Sequence, residues 1–581
     1  MKTYPLIRLK ISNEHIMTVL FMVLIVYQLP KWLNSPMHIL SYLGVLAVAL
    51  LLEVIFSLLK YNSLNCAVSA SITVGIIYVI YPGIPLWGTL LGVIVALLSK
   101  YVFGGMGKNP LNPAMVGVLI LSVIFPTESI LFTFGSINVL AMILSLPFII
   151  MRPFASLGFI VGMLLSMGFS NELSLINVVG FGVFFWGGIV ITDPVTITHK
   201  PMIGGALSLF VGMIAFRFFS VSMMAILILG LNIISFMIDK IPSKMSQERI
   251  KTKLKVPYKK VLNNGWNLKL DSKVCSSENS ILNLTSIDIM NRIERNNVVG
   301  LGGGAYPTHL KMKSFMESVS HEKYVIINAV ECDPGLCHDH CLLTEFSSEI
   351  NKGLEVIRQC IPESSIILAI KDKLSIDLEC DIKKVKDYYP VGAERRLIKE
   401  VVNKDIKYDE IPSEKGVLVL NVQTVFALYK SVWLNKEIKE KFITISNLVK
   451  KEAHIVQVSI GDKVSEVVAS IYDKEKPIFV GGGLMQVRSA GLDDLITETT
   501  NYIATASRPK YKEGICSKCG KCTNRCPSGL EVQKISSLVE QDKIEKAKML
   551  NPERCIECGL CSYHCLAGKN LSMKVKKTKS K

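Results

Sequence analysis

Residues 516–527 read CSKCGKCTNRCP, and residues 555–566 read CIECGLCSYHCL. Both contain the spacing C-x2-C-x2-C-x3-C, in which three thiolates bind one iron–sulfur cubane and the fourth cysteine ligates the other. This spacing predicts two [4Fe–4S] clusters. One would be held by Cys516, Cys519, Cys522 and Cys565, and the other by Cys526, Cys555, Cys558 and Cys561. Zinc is the alternative, but structural zinc sites use paired C-x2-C hooks rather than triplets.

The sequence between the two cysteine runs, EVQKISSLVEQDKIEKAKML, is typical of a helix. We therefore predict an α-helical ferredoxin-type domain over residues 506–581. A disulfide framework is not expected, because the N-terminus lacks a cleavable secretory signal and disulfides belong to oxidising compartments.

The N-terminal part of the chain has the composition of a membrane protein. Half of the 581 residues are hydrophobic, and residues 14–238 carry few charges. A bilayer span needs roughly 20 apolar residues, and the sequence offers about ten such runs. They are 15–33, 37–59, 64–81, 84–103, 112–126, 136–150, 154–170, 174–192, 203–219 and 221–238. We predict a polytopic α-helical domain over residues 1–240, multi-pass in the cell inner or plasma membrane.

Basic residues predict how this domain is oriented. With a cytoplasmic N-terminus, the cytoplasmic ends of the spans carry Lys2, Arg8, Lys10, Lys60, Lys100, Lys108, Arg152 and Lys200, and the opposite ends carry only Lys31 and Arg217. This bias follows the positive-inside rule, and an even number of spans then leaves residues 240–581 in the cytoplasm. The basic run after residue 240 favours contact with anionic lipid. Nothing in the sequence indicates nucleic-acid binding.

Two polar stretches interrupt the apolar runs. They read FGGMGKNPLNPAMVG at Phe103–Gly117 and ITDPVTITHKP at Ile191–Pro201. At membrane depth, backbone N–H and C=O groups that Gly and Pro leave without a helix hydrogen bond must bond to neighbouring residues, water or a ligand. Asp193 is a functional candidate because a carboxylate beside a span is costly. The alternative is that both stretches are interfacial turns that end helices.

These two stretches resemble the membrane subunit RnfD of the Rnf electron-transport complex and its relative NqrB, in the pattern GG-x-G-x-N-x-x-NPA followed by TDPVT. The resemblance implies flavin in the membrane and electron transfer coupled to Na⁺ or H⁺ movement. In that family the threonine of an SGAT-type motif carries FMN covalently. The corresponding loop here, Phe125–Ala141, lacks the motif, so we do not expect covalent FMN in this half.

A glycine-rich stretch, VVGLGGGAYPTHLKMKS, occupies Val298–Ser314. Glycines let a backbone approach a phosphate closely, and the N–H groups of a following helix favour an anion. The next stretch, KYVIINAVECDPGLCHDH at Lys323–His340, begins as a buried strand and ends in a polar loop. Together they predict a nucleotide-binding α/β domain.

This order resembles the soluble subunit RnfC and, more remotely, the flavoprotein subunit of complex I. Further matches are YYPVGAERRLIKEV, GVLVLNVQTVFALYKS and FVGGGLMQ. The resemblance implies that Glu331 and Asp333 meet NADH as the catalytic carboxylates. It also implies non-covalent FMN, with the cofactor bound by Gly300, Gly302, Gly303, Lys311, Asn328, Asn421 and Thr424, and with Glu394 nearby. Ala305 departs from the family glycine and adds a methyl group to this loop.

The resemblance also suggests boundaries for the remaining segments. We assign residues 241–285 to a basic linker, 286–440 to the FMN/NADH-binding domain and 441–505 to an SLBB-like, ubiquitin-like segment. A local Cys/His set, which offers a zinc or redox site, comprises Cys332, Cys337, His338, His340 and Cys341.

The chain thus resembles a fusion of RnfD/NqrB-like and RnfC-like subunits. The resemblance implies an ion-translocating ferredoxin:NAD⁺ oxidoreductase that acts within a complex, with other Rnf-type membrane subunits, ferredoxin, NAD(H) and the lipid bilayer as partners. Two alternatives stay open. The chain could be a non-catalytic membrane scaffold and cluster relay with degenerate flavin sites, or a transporter with a fused sensor domain that uses Asp193.

Overall fold

The computed structural model describes most of the chain. The described residues are 4–8, 12–61, 67–104, 109–126, 140, 143–193, 195–240, 254, 281, 284–371, 377–472, 477–491, 493–507 and 513–579. The basic linker predicted at 241–285 lies almost wholly outside these ranges, as does most of the loop Phe125–Ala141.

Among its described residues, the N-terminal half forms helices. Its α-helices are Asn13–Asn34, Met37–Tyr61, Ala67–Ile80, Leu86–Val102, Pro113–Ile124, Pro153–Phe169, Leu175–Gly180, Val183–Phe185, Pro201–Arg217 and Val221–Lys240, with a 3-10 helix at Leu146–Met151 and a π-helix at Trp186–Val190. The polar motif NPLNPA starts one of these helices. Asn112 caps it by accepting from the Met115 N–H at 3.4 Å, and Pro113 takes the first helical position, where no N–H is needed.

About ten spans were expected, and the described residues do not show that number. By length and composition, three described helices could cross a membrane, at Asn13–Asn34, Met37–Leu59 and Val221–Asp239, and five more apolar helices are shorter. The run 174–192 forms no single helix. It breaks at Gly182, whose φ of +61° belongs to the left-handed region, and continues as a π-helix.

Glycines bring two of the shorter helices unusually close together. A Cβ on Gly158 or Gly162 of Pro153–Phe169 would collide with the backbone oxygens of Gly205 or Leu209 in Pro201–Arg217. Small residues at such positions allow backbones to pack directly, which replaces the missing hydrophobic driving force inside lipid. This pair forms a tight part of the membrane half.

The C-terminal half begins with a four-stranded parallel sheet in the order β3-β2-β1-β4. Its strands are β1 (Tyr324–Asn328), β2 (Ser365–Ile370), β3 (Asp381–Lys384) and β4 (Val417–Asn421). Val325, Ile326 and Ile327 of β1 are fully buried, as expected for a central parallel strand covered on both faces. The helices are Ser286–Arg295, Thr308–Met316, His338–Glu345, Ser347–Cys360, Glu394–Val402 and Val422–Val432, with a 3-10 helix at Ser413–Lys415.

A second, mixed sheet of five strands follows in the order β6-β5-β9-β7-β8. Its elements are β5 (Glu440–Asn447), β6 (Glu452–Ser459), the helix Val464–Ala469, β7 (Ile478–Gly483), β8 (Gln486–Ser489) and β9 (Tyr502–Thr505). The N-terminus joins its edge. Tyr4 and Val487 exchange backbone hydrogen bonds at 2.8 and 3.1 Å, so residues ahead of the first apolar helix attach to the C-terminal half.

The C-terminal region consists of short helices around the eight closely spaced cysteines. They are Lys521–Asn524, Val532–Glu540, Ile544–Lys548, Leu560–Tyr563 and Leu571–Lys576, with a 3-10 helix at Pro552–Arg554. Val532, Ile535 and Val575 form a small apolar core with Cys522 and Cys561. The cysteines therefore lie between a compact helical core and the neighbouring domains.

Candidate functional site

The structure brings the eight C-terminal cysteines together as two sets of four. One cavity is lined by Cys516, Cys519, Cys522 and Cys565, and a second by Cys526, Cys555, Cys558 and Cys561. In each set, three sulfurs come from one run and the fourth comes from the other run. All eight cysteines are free thiols, so each cavity has the four-sulfur donor set that a [4Fe–4S] cubane requires. We name them the first and second cysteine cavities.

The two cysteine loops share one backbone conformation. Lys518 and Gly520 have φ values of +49° and +70°, and Glu557 and Gly559 have values of +56° and +72° at the equivalent positions. The Lys518 N–H lies 3.4 Å from the Cys516 sulfur, and the Glu557 N–H lies 3.4 Å from the Cys555 sulfur. The loops thus turn backbone donors toward thiolate positions, which suits a negatively charged cluster.

The first cysteine cavity faces the membrane half. Asn524 Nδ2 donates to the His199 carbonyl oxygen at 2.9 Å, and a Cβ on Gly520 would lie 2.5 Å from the His199 Cβ. The Asn13 N–H donates to the Leu566 carbonyl oxygen at 3.1 Å. His199 belongs to the stretch Ile191–Pro201, so one of the two polar interruptions of the membrane half packs against a cysteine loop.

The second cysteine cavity faces the α/β domain and the five-stranded sheet. The Tyr389 hydroxyl donates to the Cys558 carbonyl oxygen at 2.9 Å, and Arg396 Nη2 donates to the Pro527 carbonyl oxygen at 2.9 Å. A Cβ on Gly559 would lie 2.6 Å from the Met485 carbonyl oxygen. The sequence analysis did not single out Tyr389 or Arg396, because nothing in the chain order relates them to a cysteine loop far downstream.

The glycine-rich loop lies between Val298 and the helix Thr308–Met316. The Gly300 N–H donates to the Tyr306 carbonyl oxygen at 2.9 Å, and Ala305 has a φ of +48°. Ala305 therefore occupies the left-handed conformation that a glycine would adopt without strain. Gly302 and Gly304 are exposed, and nothing lies within 4 Å of a Cβ placed on Gly304. This open backbone ahead of a helix fits a phosphate group.

Lys311 supplies a cation one turn into that helix. Its ammonium donates to Glu394 Oε1 at 2.7 Å and to the Val419 carbonyl oxygen at 2.8 Å. The Lys311 side chain keeps a quarter of its surface exposed. Lys311 and Glu394, both of which the resemblance places at the cofactor, are therefore in contact with each other.

Two asparagines meet where β1 and β4 end. Asn421 Nδ2 donates to the Asn328 carbonyl oxygen at 3.2 Å and to Asp339 Oδ2 at 2.8 Å, and Asn328 Nδ2 donates to the Gly392 carbonyl oxygen at 3.0 Å. Thr424 accepts from the Leu301 N–H at 3.1 Å and so ties the glycine-rich loop to the helix after β4. A Cβ on Gly302 would lie 2.9 Å from the Asn421 Cβ. Asn328, Asn421 and Thr424 therefore lie together where the parallel strands β1 and β4 end, beside the glycine-rich loop.

The two predicted catalytic carboxylates both have protein partners. Glu331 is buried, and its carboxylate oxygens accept from the Asp339 N–H at 2.8 Å and the His340 N–H at 3.3 Å. The Asp333 carboxyl accepts backbone hydrogen bonds from Leu484 and Met485, in the β7–β8 connection. Burial nevertheless raises the pKa of Asp333 to about 7. Asp333 therefore contacts the five-stranded sheet, and Glu331 holds the start of the helix His338–Glu345.

The predicted Cys/His set is only partly assembled. His338 and Cys337 are buried beside Thr444. The Thr444 hydroxyl oxygen lies 3.1 Å from His338 Nδ1 and 3.7 Å from the Cys337 sulfur. Cys332 instead accepts from the Gly392 N–H at 3.2 Å. Among the described residues, a three-donor group forms around His338 with Glu331 and Asp339, and its atoms lie within 4.8 Å of one another. Sequence spacing did not indicate that combination.

The membrane half contains a buried ion pair that sequence analysis missed. Lys100 Nζ lies 2.5 Å from Glu53 Oε1 and 2.9 Å from Ser69 Oγ, and both charged side chains are buried. The sequence signal for this pair was Glu53, an acidic residue inside the apolar run 37–59. Asp193, the residue that was singled out, accepts from the Val195 N–H and the Thr196 hydroxyl at 3.0 Å each, and so caps a local turn.

Three family models match separate segments of the chain. Residues 1–240 match the NQR2, RnfD, RnfE family, residues 293–430 match the Nuo51 FMN-binding domain, and residues 508–566 match the 4Fe-4S dicluster domain.

Curated relatives match the C-terminal part of the chain. A subunit of the ion-translocating oxidoreductase complex of Haemophilus influenzae is 27% identical over 283 residues, which are 46% of this chain and 34% of the relative. The subunit of the same name in Buchnera aphidicola is 26% identical over 294 residues, covering 47% of this chain and 61% of the relative. The chain therefore spans between a third and three fifths of the length of these relatives.

Among solved structures, NAD⁺-reducing [NiFe]-hydrogenase in the H2-reduced state aligns over 51% of this chain and 63% of its own, with 16% identity and a TM-score of 0.35. The air-oxidised state gives 15% identity and a TM-score of 0.37. Scores this low do not establish a shared overall fold. The chain joins a segment that matches the NQR2, RnfD, RnfE family to segments that match the Nuo51 FMN-binding domain and the 4Fe-4S dicluster domain, the last two within a region similar to subunits of ion-translocating oxidoreductase complexes.

Proposed function

We propose that this chain is an electron-transfer subunit of an Rnf-type ion-translocating oxidoreductase complex and acts within that complex. One observation carries the proposal: the two cysteine cavities lie side by side between the FMN-type domain and the membrane half. Electrons would pass between the flavin, the second cavity, the first cavity and the membrane half, in that order or its reverse. The eight cysteines lining the cavities would be the cluster ligands.

The chain's own residues bind and orient the groups along this path. The accessible backbone of Gly302, Gly303 and Gly304 and the Lys311 ammonium suit a phosphate, with Lys311 exchanging Glu394 for the ligand. Asn328 and Asn421 offer amides beside that loop. When bound there, FMN supplies the conversion of a two-electron hydride into single electrons.

Binding of NAD(H) by Glu331 and Asp333 stays a prediction. Their present partners, the helix His338–Glu345 and the β7–β8 connection, make both of them positioning residues in this conformation. Ferredoxin:NAD⁺ oxidoreduction is the reaction we favour. NAD(H), an acidic ferredoxin and further membrane subunits are the proposed partners.

Coupling to Na⁺ or H⁺ would take place in the membrane half, which we place as multi-pass with its N-terminus and residues 241–581 in the cytoplasm. The attachment of Tyr4 to Val487 supports a common side for the N-terminus and the cytoplasmic half. The Lys100–Glu53 pair supports an ion path, because charges at membrane depth are retained where they serve function.

A second function, a membrane scaffold with a cluster relay and no flavin, is favoured by a specific contact. Lys311 is already paired with Glu394 and with the Val419 carbonyl oxygen, and Ala305 carries a methyl group in the loop where glycine is expected. Both features would weaken phosphate binding.

Iron and flavin content of the purified chain, measured before and after acid precipitation, separates the two functions. We expect about eight irons per chain, with one flavin that acid releases and that NADH reduces. A full iron content without flavin would support the scaffold instead. Flavin retained in the precipitate would indicate a covalent site in the membrane half, contrary to our expectation.

A further inference from the structure

A buried group of three side chains lies beside the predicted flavin site, and none of the matched domains accounts for it. Glu331 follows β1, while His338 and Asp339 begin the next helix. One donor atom from each lies within 4.8 Å of the others. Their side chains are buried, with 7%, 2% and 5% of their surfaces exposed. Two carboxylates and an imidazole in one buried group form the type of donor set that binds divalent transition metals.

The hydrogen bonds around the group hold its donor atoms in place. Thr444 Oγ1 lies 3.1 Å from His338 Nδ1, which leaves Nε2 as the nitrogen available to a ligand. The Asp339 and His340 N–H groups fix the Glu331 carboxylate. Asn421 fixes Asp339 through Oδ2. Outer partners of this kind orient metal ligands in known sites.

One donor atom in the pocket lacks a hydrogen-bond partner. In the part of the chain that the structure describes, Asp339 Oδ1 is buried without a hydrogen bond, and it lies 3.7 Å from His338 Nε2. A buried carboxylate oxygen left unpaired costs free energy. An ion bound between Asp339 Oδ1 and His338 Nε2 would satisfy both atoms.

The charges around the pocket also favour a cation. Lys441 is buried nearby, but its ammonium donates to the Glu498 carbonyl oxygen and Asn501 Oδ1 at 2.6 and 2.7 Å. A second ammonium, that of Lys371, donates to the Glu331 carbonyl oxygen at 2.8 Å, so both lysines bond to oxygens outside the two carboxylates. Glu331 is held with a φ of +41°, which a residue with a side chain seldom adopts, and this conformation directs its carboxylate at the helix start.

We propose that Glu331, His338 and Asp339 bind one divalent transition metal ion of the Zn²⁺, Fe²⁺ or Mn²⁺ kind, with water completing the coordination. Hard alkaline-earth ions prefer all-oxygen sites, so the imidazole selects against Ca²⁺ and Mg²⁺. The ion would join the end of β1 to the helix His338–Glu345, next to Asn421. It would engage the Glu331 carboxylate, so metal and nicotinamide nucleotide would compete for that residue.

Zinc content of the full-length chain tests this site. The detergent-purified protein is equilibrated with buffered Zn²⁺, desalted and measured for zinc and iron by mass spectrometry. We expect one zinc per chain in the wild type, and at least a tenfold weaker zinc affinity in His338→Ala and in the nearly isosteric Asp339→Asn. Iron content and the thermal transition report whether each variant is folded and keeps its clusters.

Two further variants serve as controls. His340→Ala removes a neighbouring imidazole outside the group, and Cys337→Ser removes a neighbouring thiol, so both should keep the zinc. Absence of zinc from the wild type, or equal zinc in all variants, overturns the proposal. Loss of zinc in Cys337→Ser but not in His338→Ala also overturns it and moves the ion to the cysteines. Should Asp339→Asn not fold, His338→Gln replaces it.

Discussion

The two cysteine loops have the same spacing and nearly the same backbone conformation, yet their surroundings differ. The first loop packs against His199 and against Asn13 at the start of the first helix, whereas the second packs against Tyr389 and Met485 of the C-terminal half. Cluster potentials depend on hydrogen bonds and solvent exposure around the sulfurs. Identical ligand chemistry can therefore serve two roles, with one cluster facing the flavin site and the other facing the membrane.

The largest expected effect comes from removing the exchanged cysteines. Cys526→Ser should abolish the cluster of the second cavity, and Cys565→Ser that of the first, because each leaves three sulfurs where four are needed. Iron content should fall by about half in either variant. In Cys526→Ser the remaining cluster should no longer be reduced by NADH, whereas in Cys565→Ser it should be. Electron paramagnetic resonance measures both, and the same NADH response in the two variants would contradict the proposed order.

The next effect concerns the flavin side alone. Lys311→Ala removes the cation offered to the phosphate, and a charge-assisted hydrogen bond of about 1.5–3 kcal/mol corresponds to roughly tenfold to a hundredfold weaker flavin binding. Flavin retained after gel filtration measures it, with iron content unchanged. Lys313→Ala, on the same helix, is the matched control. Full flavin retention in Lys311→Ala would remove this lysine from the site.

A smaller effect follows from the contact of Asp333 with the β7–β8 connection. The folded-state pKa of Asp333 is raised from 3.8 to about 7, so between pH 4 and 7 the folded protein binds the proton more tightly than the unfolded chain. The stability that this group contributes is therefore lost as pH rises through that window. Asp333→Asn removes this dependence. We therefore expect the difference in thermal transition temperature, variant minus wild type, to be a few degrees larger at pH 8 than at pH 5. An equal difference at both pH values would show that Asp333 ionises normally.

The smallest effect concerns the potential of the second cluster. Tyr389→Phe removes the hydroxyl that donates to the Cys558 carbonyl oxygen, so the reduced cluster loses a nearby positive dipole. We expect its midpoint potential to fall by tens of millivolts, since a hydrogen bond is worth about 1 kcal/mol and 59 mV is a tenfold change for one electron. Tyr388→Phe is the control, because that hydroxyl bonds Glu400. The first cluster should not respond to either change.

The sequence and structure agree where the signal is local. The cysteine spacing predicted a set of ligands for each cavity, and the structure groups the same eight residues. The glycine-rich loop and the NPA motif likewise occur at helix starts. The number of spans was harder to predict, because the apolar run 174–192 does not show that Gly182 and a π-helix divide it.

By itself the sequence determined the domain order, the cysteine sets and the glycine-rich loop, because spacing along the chain fixes each of them. Only the tertiary structure decided what faces each cysteine cavity, since His199 and Tyr389 reach the cysteine loops from elements far away in sequence. It also paired Lys100 with Glu53, and it joined Glu331 to His338 and Asp339 by placing a strand end against a helix start. Contacts between distant residues depend on packing, which no local pattern records.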